Sequence, residues 1–344
     1  ACQGMNVIWD GNFIRLVKDR APSGDQPIEL SEEGLHYFEQ TLPDLEMKIF
    51  PGLTHLGTRY SSESFEGLGR KHPMFNQIEL DVLQKRLAKP LAFAQHMAQT
   101  YPRTVMGFIT DDEPHETASA IAVAKLVEQA TKRTVTFCKP TFSGFKEYIN
   151  HVQPMTGDWY VNGDIYQRNW DIQSRLRWLA KEHPDQIFYF LPGAISWAAF
   201  ERTKPWLAYN AVSPTDIRMQ FWQSLAFGSK GYFYFMTDGS IAWTRGRDGL
   251  LNPLLRPNGM QWDQIGKLGS LIQAIGPSML DAWPDMKRSL KIDCDQMVHP
   301  AFSGPQMNAG ILATKDRTRQ FVVVFSNLLK ENTTGRIDFS ALLR

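Results

Sequence analysis

The sequence is short of cysteine, of net charge and of long apolar runs, and each shortage excludes a class of protein. Its three cysteines (Cys2, Cys138 and Cys294) lie far apart without metal-ligand spacing, which argues against a disulfide scaffold. A net charge of +1 gives no electrostatic basis for binding nucleic acid or an anionic membrane. No apolar stretch approaches the roughly 20 residues that span a bilayer. What remains is a globular protein of ordinary composition.

Cofactor motifs are also missing. The sequence contains no phosphate-binding loop, no nucleophile turn and no dinucleotide fingerprint. His55 and His115 are isolated histidines without a second ligand at metal spacing, and no loop of alternating acids supports a calcium site. The sequence therefore predicts a protein that works without a cofactor or metal.

Aromatic residues, by contrast, are abundant, with 10 Trp, 10 Tyr and 21 Phe among 344 residues. Such rings suit a large core, and they also suit carbohydrate sites, where flat rings stack on the apolar faces of sugars. For any single ring the core interpretation is the safer one.

Short strand-like runs alternate with helical patterns through about residue 275. This alternation is typical of a parallel sheet in an α/β fold. The predicted strands are Met5–Trp9, Glu46–Phe50, Thr104–Thr110, Thr134–Cys138, Asp158–Val161, Gln186–Leu191 and Gly231–Met236. The predicted helices span 31–42, 77–100, 115–132, 142–151, 170–182, 214–227 and 261–275.

Functional-looking residues at the strand ends favour a (β/α)8 TIM barrel over an open sheet. An eight-stranded barrel needs one strand more than the pattern gives, so we expect the first strand to be missing from the chain. The chain would then be a fragment of a longer protein, or the first strand would come from elsewhere. After a break over 277–288, Leu290–Asp293, Gly310–Ala313, Gln320–Ser326 and Gly335–Phe339 predict antiparallel strands. We therefore expect a barrel domain over 1–276 and a small C-terminal β domain over 277–344.

Three consecutive acids, Asp111, Asp112 and Glu113, close the apolar run that begins at Thr104. Pro114 follows and forbids the strand from continuing. The acids therefore lie at the carboxyl end of a buried strand, where α/β enzymes place their chemistry. Mutual repulsion and burial make three adjacent charges costly, which favours a functional use. The alternative interpretation is that Asp111 or Asp112 caps the following helix.

A Glu before a Pro at this strand end resembles the barrel glycoside hydrolases, especially family 42 β-galactosidases and related uncharacterised barrel families. The resemblance extends to Gly4-Met-Asn-Val-Ile, to the run from Asp158 to Tyr166, and to the helix and strand from Pro214 to Phe235. It implies a glycosidase in which Glu113 is the general acid/base.

Glycoside hydrolysis requires a second carboxylate, and here the sequence departs from the family. Retaining relatives have a nucleophilic Glu at the end of strand seven, whereas this chain has Leu-Pro-Gly-Ala-Ile-Ser-Trp197 there. Asp164 beside Tyr166 is the favoured partner; Glu201 and Asp238 are the alternatives. Glu201 also suits a solvated helix, and Asp238 suits a turn beside Gly239.

Substrate contacts are predicted from positions at or just past strand ends. Trp rings would stack on sugars, while Asp, Asn, Arg, His and Tyr would bond hydroxyl groups. These candidates are Trp9, Asp10, Asn12, His55, Arg59, Asp111, Asp112, Trp159, Asn162, Tyr166, Trp197, Asp238 and Trp243.

The predicted partner is an oligosaccharide or polysaccharide, and an extracellular or periplasmic location is favoured. The missing strand-seven acid leaves two alternatives open, a non-catalytic carbohydrate-binding barrel and a structural subunit of a larger assembly.

Overall fold

A computed structural model describes the chain over 7–10, 13–19, 25–53, 56, 77–112, 117–138, 142–159, 165–193, 213–234, 259–299, 302–326 and 334–342. The chain divides into two compact units, Ala1–Gly157 and Asp158–Arg344. Each unit has its own pattern of strands and helices.

The described part of the first unit alternates five strands with helices. The strands are β1 (Val7–Asp10), β2 (Lys48–Pro51), β3 (Gly107–Asp112), β4 (Thr134–Cys138) and β5 (Met155–Gly157). The helices are α1 (Glu32–His36), a π-helical turn (Tyr37–Thr41), α2 (Leu42–Asp44), α3 (Gln77–Thr100), α4 (Thr117–Thr131) and α5 (Phe142–Tyr148), with a short 3-10 turn at Phe13–Leu16.

The strands of this unit are parallel and adjacent in chain order. β1 pairs with β2, β3 with β4 and β4 with β5. Parallel bridges from Ile49 to Val105 and from Gly52 to Ile109 join β2 to β3. Each helical connection therefore returns the chain to the next strand in the same direction, which confirms the predicted α/β alternation.

Both faces of these strands are covered, as parallel sheets require. Phe108 and Ile109 on β3 are at most 1% exposed, and Val135 on β4 is 3% exposed. On α4 the buried residues recur with helical spacing at Ala120, Val123, Ala124 and Val127, and α4 packs on β3 and β4. This apolar face is why the 115–132 pattern predicts a helix against a sheet.

One strand lies earlier than predicted. The pattern favoured a strand over Asp158–Val161, but β5 is Met155–Gly157 and Asp158 and Trp159 follow it. Cys138, the last residue of β4, already pairs with Thr156.

The second unit begins with the same alternation. Its elements are α6 (Ile165–Glu182), β6 (Phe188–Phe190), α7 (Pro214–Ala226), β7 (Gly231–Tyr232) and α8 (Gly259–Met279). β6 pairs in parallel with β7. Ser213 and Asp216 form a capping box that fixes the start of α7. Ser213 Oγ accepts from the Asp216 N–H at 3.2 Å, and the Ser213 N–H donates to Asp216 Oδ2 at 2.6 Å.

Among the described residues, seven antiparallel strands follow α8. They are β8 (Ala282–Pro284), β9 (Lys291–Cys294), β10 (Gln296–His299), β11 (Phe302–Pro305), β12 (Met307–Thr314), β13 (Gln320–Ser326) and β14 (Gly335–Asp338), with a 3-10 turn at Ser340–Leu342. β12 pairs with β13 and β8, β10 with β11, and β14 with β9.

The sequence missed β8 and the β10–β11 hairpin, and the region where a break was predicted contains the end of α8 as well as β8. Proline explains the omission, since Pro284 and Pro305 each end a short strand where the sequence pattern indicates a turn. The boundary predicted between residues 276 and 277 stays a prediction.

The antiparallel strands pack directly on α7. A Cβ placed on Gly310 of β12 would lie 1.8 Å from the carbonyl oxygen of Ala226 at the end of α7. The rings of Phe227 and Phe325 meet edge to face at 6.3 Å, and Arg177 of α6 donates to Asn308 at 3.4 Å. The close approach at Gly310 allows no side chain between helix and strand.

The turn between β12 and β13 is held by one carboxylate. Asp316 accepts from Thr314 Oγ1 at 2.5 Å, from the Thr318 N–H at 3.0 Å and from Thr318 Oγ1 at 2.9 Å. These hydrogen bonds, with that of Thr314 the strongest cause, lower the pKa of Asp316 to about 2. The ionised form of Asp316 therefore stabilises the turn.

We predict that Asp316→Ala lowers the melting temperature at neutral pH, because the turn loses its acceptor. Ionised Asp316 stabilises the fold above its ordinary pKa of 3.8, and this stabilisation is lost as pH falls through about 2. Melting curves of both proteins should therefore converge as pH falls from about 4 to about 2. Asp263→Ala, at an exposed site on α8, is the control; a difference between wild type and Asp316→Ala that is independent of pH would contradict the prediction.

Candidate functional site

Buried polar side chains gather near the carboxyl ends of β3, β4 and β5. Thr110 is 1% exposed and Asp111 is 3% exposed, while Thr136 and Thr156 are fully buried. The hydroxyl groups of Thr136 and Thr156 lie 3.0 Å apart and form a hydrogen bond. The carboxyl ends of parallel strands are where α/β enzymes hold their substrates, so a group of polar side chains at this edge indicates a candidate site.

The pairing register places the acids of two strands at the same edge of the first unit. Asp10, the last residue of β1, pairs with Pro51, and Gly52 bridges to Ile109 on β3. Asp111 then follows on β3. Since β2 alone lies between β1 and β3, the backbones at Asp10 and Asp111 are separated by about 10 Å, or two strand spacings.

β3 carries a β-bulge where the acids begin. Ile109 pairs with Thr136, but Asp111 pairs with Phe137, so Thr110 is an extra residue on β3. A bulge bends its strand, increases the local twist and re-aims the side chains that follow it. The strand therefore changes direction immediately before Asp111, Asp112 and Glu113.

β3 also extends further than predicted. It ends at Asp112 rather than Thr110, because Asp111 and Asp112 pair with Phe137 and Cys138. Asp111 and Asp112 are therefore strand residues, and Asp111 is enclosed among neighbouring groups.

Trp159, a predicted sugar contact, is 2% exposed. Its ring stacks on Phe188 of β6 with centroids 5.5 Å apart, and the guanidinium carbon of Arg175 lies 5.5 Å from the ring. Trp9 and Asp10 lie on β1, and Tyr166 lies in the first turn of α6. A direct contact of any of them with a sugar stays a prediction.

The other candidates lie outside the described residues. They include the proposed acid and all three of its possible partners. These positions are Asn12, His55, Arg59, Glu113, Asn162, Asp164, Trp197, Glu201, Asp238 and Trp243.

Sequence reasoning missed the threonine layer. Thr110, Thr136 and Thr156 read as β-branched strand formers, so nothing in their local pattern separates them from the apolar core. Their positions could have identified them, because each threonine lies within two residues of the carboxyl end of its strand.

The described residues contain neither a metal-binding cluster nor a membrane-spanning helix. Within those ranges, no three His, Cys, Asp or Glu side chains come together in a way that could hold a metal ion. None of the described helices combines the length and hydropathy needed to cross a bilayer.

Comparison with solved structures reveals a shared fold. The chain is similar to a cold-adapted β-galactosidase from Rahnella sp. R3, with a TM-score of 0.52 and 9% identity, over 82% of this chain and 53% of that enzyme. The fold is shared with a glycoside hydrolase. This confirms, at the level of the fold, the resemblance to barrel glycoside hydrolases. The chain spans about half the length of that β-galactosidase.

Two other similar structures are also glycoside hydrolases. An α-amylase from Geobacillus thermoleovorans has a TM-score of 0.47 at 12% identity, over 94% of this chain and 77% of that one. A β-glucuronidase from Bacteroides uniformis has a TM-score of 0.45 at 12% identity, over 97% of this chain and 41% of that one. With TM-scores below 0.5, neither carries weight for this chain. No family model matches the sequence, and no curated protein sequence does so.

Proposed function

We propose that the chain is a glycoside hydrolase in which Glu113 is the general acid. The observation that carries the proposal is the buried Asp111, on a bulged parallel strand whose end leads directly into Glu113, in a fold shared with a β-galactosidase. We further propose that the parallel strands belong to a (β/α)8 barrel, which is followed by a small β domain. The carboxyl ends of barrel strands are where such enzymes hold their substrates.

The chemistry requires the two carboxyl groups to be in different protonation states. A general acid must be protonated when it meets the glycosidic oxygen, so its pKa must be raised. Negative charge on Asp111 and Asp112 would disfavour a third charge on Glu113 and so raise the pKa of Glu113. Glu113 could then protonate the leaving group while an ionised partner stabilises or attacks the anomeric carbon.

Asp164 is our proposed partner, with Glu201 and Asp238 as alternatives. A separation of about 5–5.5 Å from Glu113 would make the partner a nucleophile and the enzyme retaining. A separation of about 6.5–9.5 Å would leave room for a water molecule and make the enzyme inverting. The anomeric configuration of the first product, read by NMR, distinguishes the two.

The proposed substrate is an oligosaccharide or polysaccharide. Trp9, Trp197 and Trp243 would provide stacking faces, whereas the ring of Trp159 is buried against Phe188. The polar candidates around Asp10 and Asp111 would bond sugar hydroxyl groups. We place the enzyme outside the cytoplasm, because a polysaccharide too large to cross a membrane must be hydrolysed there.

One observation favours a carbohydrate-binding protein without catalysis. The described end of β6, Leu191-Pro192-Gly193, carries no acid where retaining relatives have their nucleophile. A binding barrel needs aromatic rings and hydroxyl contacts but no carboxylate pair.

A screen with nitrophenyl glycosides, together with calorimetric titration of oligosaccharides, tests the proposal. We expect turnover of at least one glycoside, and Asp164→Asn should reduce it by at least about 100-fold if Asp164 is the partner. Undiminished turnover in Asp164→Asn moves the role to Glu201 or Asp238. Oligosaccharide binding with no turnover of any glycoside would instead support the binding barrel.

A further inference from the structure

Helix α7 buries an unusual number of polar side chains on one face. Asp216 is 4% exposed, and Gln220, Gln223 and Ser224 are fully buried. Glutamine is mostly exposed in proteins, because burying its amide costs free energy unless both of its polar atoms are paired. The spacing of these residues places them on the side of the helix that packs inward.

Gln220 links this helix to the end of a parallel strand. Its Nε2 donates to the carbonyl oxygen of Gly193 at 3.3 Å and to that of Asp216 in its own helix at 3.3 Å. Gly193 lies just beyond the end of β6 and is itself buried. The amide therefore ties the chain that leaves β6 to the middle of α7.

The other amide atom shows that the side chain does more than fill space. Gln220 Oε1 is buried and has no hydrogen-bond partner among the residues that the structure describes. Leaving a buried acceptor unpaired is unfavourable, and an apolar side chain of the same length would avoid that cost. What an apolar side chain could not do is hold the carbonyl group of Gly193.

We infer that Gln220 is a positioning residue, which fixes the direction in which the chain leaves β6. In a parallel α/β enzyme the segments after the strands carry the substrate-binding and catalytic groups. The segment after Gly193 carries Trp197 and Glu201. This inference rests on the proposed function, and Gln220 acts on the site through the backbone rather than by touching the substrate.

Gln220→Met tests the inference, because Met has similar volume and cannot donate a hydrogen bond. We expect faster amide hydrogen exchange in peptides covering 191–197 and about a 10-fold loss in kcat with little change in KM, since small misplacement lowers the rate more than binding. Ser224→Ala is the matched control. Ser224 is equally buried on α7, but its Oγ donates to the carbonyl groups of Gln220 and Phe221, not to the end of β6.

Unchanged exchange in 191–197, or the same exchange pattern in Gln220→Met and Ser224→Ala, would overturn the inference. If Gln220→Met does not fold, Gln220→Asn replaces it, because its shorter amide cannot span from α7 to Gly193. Absence of turnover in the wild type would refute the proposed function only, and hydrogen exchange would still decide whether Gln220 anchors the chain.

Discussion

Glu113→Gln should lower the hydrolysis of unactivated glycosides by about 100-fold to 10,000-fold, the usual contribution of a general acid. The amide has nearly the shape of the acid but cannot give a proton to the leaving oxygen. The loss should be much smaller for dinitrophenyl glycosides, because their leaving groups depart without protonation. Comparing kcat/KM across leaving groups of different pKa therefore measures how much proton donation by Glu113 contributes to the rate.

The control for Glu113→Gln is Glu128→Gln, the same change at an exposed site on α4. Its kcat/KM should equal that of the wild type for every leaving group. A uniform loss across all leaving groups in Glu113→Gln would mean that Glu113 positions the substrate rather than protonating it. Full activity in Glu113→Gln would remove Glu113 from the mechanism.

Much of the fold could be predicted because its signals are local. The helix predicted over 77–100 and the strands Thr134–Cys138 and Gln320–Ser326 have the bounds found in the structure. In each, apolar residues recur with the period of the helix or strand, and the run ends at turn residues or where the period changes.

The misplacements come from pairing, which no local pattern contains. β3 continues to Asp112 because β4 offers Phe137 and Cys138 as partners. The bulge at Thr110 is invisible in the sequence, since it appears only when the two strands are aligned. β8 is short and ends in a proline, so only its pairing with β12 identifies it as a strand.

The candidate site was predicted in the same partial way. Asp111 and Asp112 are evident, because three charges interrupt an apolar run. Thr136 and Thr156 escape notice, because their significance lies in a hydrogen bond between two strands. Gln220 escapes for the opposite reason, since a glutamine on a helix ordinarily indicates a solvated face.

Gly310→Ala should strongly destabilise the protein. Its Cβ would lie 1.8 Å from the Ala226 carbonyl oxygen and 2.6 Å from the carbonyl carbon, both of them backbone atoms that cannot rotate away. Either β12 or the end of α7 must move. We expect a loss of about 3 kcal/mol or more in the free energy of unfolding, at the upper end for an overpacked core. Urea unfolding, read as the shift in midpoint at constant slope, measures it.

Gly276→Ala supplies the matched control on α8. A Cβ there would meet only Ile272 Cγ2 at 3.6 Å, an ordinary contact. Alanine is favoured over glycine inside a helix by about 0.5–1 kcal/mol, but a Cβ before Pro277 opposes helical backbone, so this variant should stay close to the wild type. An unchanged midpoint for Gly310→Ala would show that α7 and the antiparallel sheet do not pack closely in solution.

Since α7 also carries Gln220, a shifted α7 should disturb the Gly193 hydrogen bond as well. Hydrogen exchange in 191–197 should therefore rise in Gly310→Ala and stay unchanged in Gly276→Ala.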